Sequence, residues 1–244
     1  MRFSEYMKPL DENLRSAAIR LLGEDAGRYA DLQDEILAGC DHFRSGRLKT
    51  LQEFYRLAVS KGIVELGTRA NTLSCWAADE ISGEIEGHHA IDVGCCSGTF
   101  TVFYALNNLQ TNFVGIDLSI DALFAAKKRA ESYSAANTSW VCADVMTLDS
   151  PFTTADTVIV QNSMYQMLPK NSNEDLFLDR LTPFMRKGSK VIFSYPTMFI
   201  IPQYLALHNS QHAMFDLKRE EIKTVFSQTT NNYESRILTV YRKL

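Results

Sequence analysis

Residues Ala90–Phe100 read AIDVGCCSGTF, and the order of residue types along them decides what the rest of the chain can be. Ala90, Ile91 and Val93 form a short apolar run of the kind that fills a buried parallel strand. The run breaks at Gly94-Cys95-Cys96-Ser97-Gly98, and apolar residues resume from Thr99 to Leu106. The expectation is a strand, a tight turn and a helix start. Gly94 and Gly98 admit a left-handed backbone or the close approach of a ligand, and the first helical turn offers unpaired N–H groups to a nucleotide-like molecule.

Spacing narrows the choice of nucleotide. The dinucleotide fingerprint G-x-G-x-x-G is met only at Gly94, with Cys96 and Thr99 at its other glycine positions, which argues against a dehydrogenase. The pattern acidic-x-Gly-x-Gly-x-Gly is met at Asp92, Gly94 and Gly98 and departs at Cys96. On these residues the chain resembles the class I S-adenosylmethionine-dependent methyltransferases. The resemblance implies a Rossmann-like doubly wound α/β sheet with S-adenosyl-L-methionine as cofactor. In that family the middle glycine, here Cys96, lies against the methionine end of the cofactor.

Toward the C-terminus the pattern repeats. Phe113–Asp117 reads as a second strand ending in a carboxylate 19 residues past Gly98, the interval at which such a group meets a ribose diol. Leu118 beside it joins the cofactor candidates, and Ser119 is placed to cap the next helix. Ser139–Val145 reads as a third strand, and the resemblance implies that Asp144 accepts from the adenine amino group while the Val145 N–H meets a ring nitrogen. Asp156–Asn162 reads as a fourth strand. The resemblance sets the segment after it beside the reacting sulfonium, making Asn162 and Tyr165 the catalytic candidates, Asn162 also holding the cofactor's amino group. The plainer alternative puts Met164, Tyr165 and Met167 on the apolar face of a short helix.

A helix over residues 173–181, a proline-initiated turn at Thr182-Pro183 and a stop at Gly188 lead into a fifth strand, Lys190–Pro196. Two further strands, Ile222–Gln228 and Arg236–Arg242, close the otherwise parallel sheet as an antiparallel edge hairpin. His208 and His212, four apart in an aromatic-rich stretch, lack any HExxH pattern and read as surface or packing residues.

Residues 1–85 read as a helical cap or lid, with residues 86–244 as the catalytic domain. Leu14, Ala17, Ala18, Leu21 and Leu22 recur at helical spacing, as do Leu51, Phe54, Tyr55, Leu57 and Ala58. Arg69, in a loop ahead of a helix expected from about residue 71 to 81, is either a bidentate partner for the methionine carboxylate or a solvated loop arginine.

Composition limits the partners. A formal charge of −4 with no Lys/Arg block lacks the footprint of a nucleic-acid binder, so a small-molecule acceptor is expected. No apolar run of signal-peptide or membrane-spanning length is visible, so no membrane partner and a cytoplasmic location are expected. Five cysteines without CxxC spacing read as thiols. His88-His89 and Cys95-Cys96 flank a strand that separates them by roughly 15 Å, too far to share a metal. Methyl transfer to N, O or C is the leading expectation. Two alternatives stand beside it: cleavage or cyclisation of the cofactor's aminocarboxypropyl arm with release of methylthioadenosine, and a non-catalytic binding or scaffold protein.

Overall fold

Seven strands pair into one sheet in the computed structural model, which describes residues 1–7, 22–28, 31, 53–54, 56–58, 60, 72–148, 153–163, 174–196, 214–227 and 232–244. They are β1 (His89–Val93), β2 (Asn112–Asp117), β3 (Thr138–Cys142), β4 (Ala155–Gln161), β5 (Met185–Pro196), β6 (Phe215–Ser227) and β7 (Asn232–Lys243). Their order is β3-β2-β1-β4-β5-β7-β6. The first five run parallel, and β7 pairs antiparallel with both β5 and β6. The strand order therefore switches between β1 and β4, and the carboxyl ends of these two strands are where sheets of this kind take ligands.

Strands buried on both faces must be apolar at consecutive positions, which is why β1 and β4 read as continuous runs. Ala90, Phe113, Ile159, Ile192 and Leu238 point to one face and pack with helices α1 (Thr72–Glu84) and α2 (Thr99–Asn107). A further helix on the chain, α3 (Ile120–Ser132), starts at Ser119, whose Oγ accepts the Ala122 N–H at 3.2 Å. Ile91, Val93, Val158, Val160, Val191 and Phe193 point to the other face and meet Leu178 and Leu181 of α4 (Glu174–Leu181). The extreme N-terminus joins the first layer. Phe3 is fully buried, stacked on Phe100 at 4.9 Å and edge-on to Phe103 at 5.0 Å, and its N–H donates to Asp79 Oδ1.

Several boundaries differ from the sequence reading, and β7 for one starts at Asn232, four residues before the expected Arg236. β3 ends at Cys142, so Asp144 lies beyond the strand in a turn whose N–H groups at Thr147 and Leu148 bond back to the Asp144 carbonyl. β5 begins at Met185 and passes through Gly188 instead of starting after it. Gly188 has φ +85°, and Ser189 Oγ accepts from the Arg186 N–H while donating to the Ala155 carbonyl, so the strand bends there and continues. β6 starts at Phe215, seven residues before Ile222, because its whole length pairs with β7.

At the amino ends of the strands, Lys190 is almost buried and its Nζ contacts Glu84 at 2.9 Å and Glu86 at 2.7 Å. Burial would raise the Glu84 carboxyl, but hydrogen bonds from Lys190 and Arg219 outweigh it and hold it below its ordinary value. The Lys190 hydrogen bond holds Glu86 down as well. A depressed carboxyl contributes stability above its unfolded pKa and loses it as pH falls through the folded value. Lys190→Met is expected to cost about 1–2 kcal/mol at pH 7, discounted because both glutamates retain solvent contact. That deficit shrinks below about pH 4, where the carboxylates protonate in both proteins. Urea titrations at the two pH values measure it.

Among the described residues, no helix is long and apolar enough to cross a membrane.

Candidate active site

The turn after β1 is built by three left-handed residues, Gly94 (φ +71°), Cys96 (φ +54°) and Gly98 (φ +70°). The N–H groups of Gly94 and Cys95 both donate to the Ile116 carbonyl, at 2.8 and 3.0 Å, which binds the turn to β2. Gly98 then serves as the N-cap of α2. A cysteine in the left-handed region costs about 1–3 kcal/mol, so something must hold it there. Asp117 supplies the restraint: its Oδ2 accepts the Cys96 N–H at 2.8 Å, and its Oδ1 accepts the Ser119 N–H at 2.9 Å. Arg129, also buried, donates to the Ser97 carbonyl at 3.3 Å.

Two carboxylates share this corner. Asp92 is buried, accepts the Thr101 hydroxyl and has its pKa pushed up to about 7. Burial is the main cause, the Thr101 hydrogen bond opposes it, and the charge of Asp117 adds to it. Asp117 is raised too, by burial against the opposing N–H bonds from Ser119, Cys96 and Leu118. A cation at this corner would relieve both groups.

The crevice continues over the next strands. Asn162 follows β4 in a left-handed conformation (φ +60°); its N–H donates to the Ser194 carbonyl and its Oδ1 accepts from Arg236 at 2.8 Å. Ser163 Oγ donates to the Val93 carbonyl at 2.6 Å, which ties the ends of β4 and β1 together. Asp144 sits beside Asp117, whose carbonyl accepts the Ala143 N–H, while its own Oδ1 takes the Met146 N–H. The Val145 side chain is core, packed on the α4 face. The geometry thus gathers Asp92, Gly94, Cys96, Gly98, Asp117, Leu118, Asp144, Val145 and Asn162 along one edge. Arg69, Tyr165, His208 and His212 lie outside the described residues.

A polar strip that the sequence reading missed runs under this edge on the α1–α2 face. Tyr104 of α2 is fully buried and donates to Gln161 Oε1, and Arg236, also buried, reaches Asn162 and Ser194. The available signal was a polar residue closing the apolar β4 and a basic residue at the start of the buried run of β7, since Gln161 shares the face of Ile159 and Arg236 that of Leu238.

The comparisons agree with this geometry. Residues 90–188 match the family model of a methyltransferase domain. A tRNA (guanine-N(7)-)-methyltransferase of Rubrobacter xylanophilus is 39% identical over 54 residues, 22% of this chain and 24% of that protein. The chain thus matches about a quarter of that relative's length. A methyltransferase of Geobacter sulfurreducens, solved with S-adenosyl-L-homocysteine, superposes with a TM-score of 0.56 at 14% identity, covering 75% of this chain and 96% of that one. The cyclase SpnF superposes at 0.55 with 16% identity, covering 72% and 84%. A glycine turn after β1, an acidic end to β2 and the strand order 3-2-1-4-5-7-6 define a Rossmann-like methyltransferase fold. Residues 90–188 thus carry the sequence pattern of a methyltransferase domain, and the chain shares its Rossmann-like fold with these solved structures.

Proposed function

We propose that this chain is an S-adenosylmethionine-dependent methyltransferase acting on a small molecule. The observation that carries the reading is Asp117 at the end of β2. Its oxygens accept the Cys96 and Ser119 N–H groups, with the Leu118 N–H also directed at them, and a carboxylate has about four lone-pair sites, so acceptor capacity remains for a ribose hydroxyl. The fit extends to charge, because Asp92 and Asp117, both raised by burial, suit a ligand that brings a positive sulfonium. Structural relatives solved with S-adenosyl-L-homocysteine support the same ligand.

When bound, S-adenosylmethionine supplies a methyl group already activated by its sulfonium. The protein's share is therefore alignment and exclusion of water, which contributes about 7–11 kcal/mol in favourable cases and calls for no strong base. Asp117 fixes the ribose, and Asp144 and Val145 flank the adenine. Asn162, held by Arg236 and the Ser194 carbonyl just after β4, is the candidate for positioning an acceptor. Tyr165 and Arg69 remain candidates for the acceptor and the methionine carboxylate. The relative acting on tRNA shares too short a stretch to transfer its acceptor, and a net charge of −4 favours a small one.

Mass spectrometry of the purified protein with S-adenosylmethionine and a metabolite extract tests the chemistry. S-adenosylhomocysteine rising only with extract is the expected result. Methylthioadenosine formed without an acceptor would replace methyl transfer by cleavage of the cofactor's arm. Asp117→Ala is expected to weaken S-adenosylhomocysteine binding ten- to hundredfold in calorimetry, about 1.4–2.7 kcal/mol. A loss under threefold would remove Asp117 from the ribose site.

A further inference from the structure

We propose that Gln161 donates from its side-chain amide to the carboxylate at the methionine end of the cofactor. The assignment rests on the reading of the site as an S-adenosylmethionine pocket. Gln161 closes β4 and is 6% exposed. Its Oε1 is taken by the Tyr104 hydroxyl, whereas its Nε2 is buried and has no hydrogen-bond partner among the described residues. An unmet buried amide donor costs about 1–3 kcal/mol, and such a group in a native protein calls for a bound partner.

Position identifies that partner. Ile159 is level with Asp92 in the β1–β4 ladder, so Gln161, two residues further along, stands at the level of the glycine turn. Gln161 shares its face with Ile159 and Tyr104, and Tyr104 in turn feels both the negative charge of Asp92 and the positive charge of Arg236. The strip therefore runs from a carboxylate at β1 to a guanidinium at β7, with the Gln161 donor between them. An α-amino acid end carries an ammonium and a carboxylate on one carbon and matches that order of charges. The ammonium turns toward Asp92 and the carboxylate toward Gln161 and Arg236.

The test compares two ligands that differ in this end. S-adenosylhomocysteine carries the amino acid group, and 5′-methylthioadenosine lacks it. Calorimetric titrations use wild type, Gln161→Glu and Gln161→Met, each with a thermal melt without ligand. Gln161→Glu keeps an acceptor for Tyr104 and removes the donor; Gln161→Met serves if the added carboxylate prevents folding. Wild type is expected to prefer S-adenosylhomocysteine. The variants should lose at least tenfold in affinity for it and less than twofold for 5′-methylthioadenosine, so that the preference collapses. Equal losses for both ligands would overturn the assignment and make Gln161 a support of the whole pocket. No loss for either would overturn it as well and leave the amide to a buried water. Wild type that binds neither ligand would defeat the reading of the site itself, and this assignment with it.

Discussion

Alanine at Gly98 is expected to lower stability by about 3 kcal/mol and to abolish measurable binding of S-adenosylhomocysteine. Two effects add. Gly98 sits at φ +70°, where an L side chain costs roughly 1–2 kcal/mol. A Cβ there would also stand 2.6 Å from Trp140 Cη2 and 2.7 Å from Ala126 Cβ, and overpacking of this kind costs about 1–3 kcal/mol. Neither neighbour has room to retreat. Ala126 is buried on α3, and the six-membered ring of Trp140 already lies 2.6 Å from where a Cβ of Gly115, its partner across the β2–β3 ladder, would be. The turn itself must move, and with it the Cys96 N–H bonded to Asp117. Urea unfolding and calorimetry measure the two losses. Trp140→Leu placed on the Gly98→Ala background should recover part of the stability, because it removes the ring but neither the Ala126 contact nor the left-handed strain. Full recovery would show that the ring alone demands glycine, and no recovery would show that backbone conformation alone does.

That contact explains what the sequence could and could not reveal. The glycine turn was legible because Gly94, Gly98 and the carboxylates around them act through local spacing, and the apolar runs of β1, β2 and β4 declared their own burial. The role of Trp140 was hidden because it depends on a cross-strand partner, Gly115, and on a helix residue, Ala126, that no local pattern links to it. Cys96 departs from the glycine pattern, yet its left-handed backbone keeps the conformation a glycine would have had. Gly188 read as a stop, although the Ser189 hydroxyl bridging Arg186 and Ala155 carries the strand through it. Gln161 and Arg236 escaped notice because an inward-facing polar residue is recognised only once the register of β4, β5 and β7 fixes which face each occupies. The Gln161–Arg236 strip was thus the part of the site least accessible to spacing arguments.

Asp92→Asn is expected to change stability with opposite sign at the two ends of the pH range. Asp92 has an ordinary pKa of 3.8 and a folded value of about 7, chiefly because it is buried. For a carboxyl raised on folding, the unfolded chain loses its proton first, so stability falls as pH rises between the two values. Below about pH 4 both states hold the proton and the group costs nothing; above pH 7 the folded protein carries a buried charge at a cost of about 4 kcal/mol, an order-of-magnitude figure. Asparagine has no such dependence. Its oxygen can accept the Thr101 hydroxyl as Asp92 does, but its amide brings a new buried donor that costs about 1–3 kcal/mol at every pH. The variant should therefore be more stable than wild type by about 1–3 kcal/mol at pH 8 and less stable at pH 4, with the two curves crossing between. Urea midpoints across pH 4–8 test this. A difference that stays constant with pH would mean that Asp92 is ionised throughout, held so by groups other than Thr101. The same measurement repeated with saturating S-adenosylhomocysteine and with S-adenosylmethionine separates structure from function. Only the latter carries the sulfonium charge, which favours ionised Asp92, so it should stabilise wild type more than Asp92→Asn and move the crossing to higher pH.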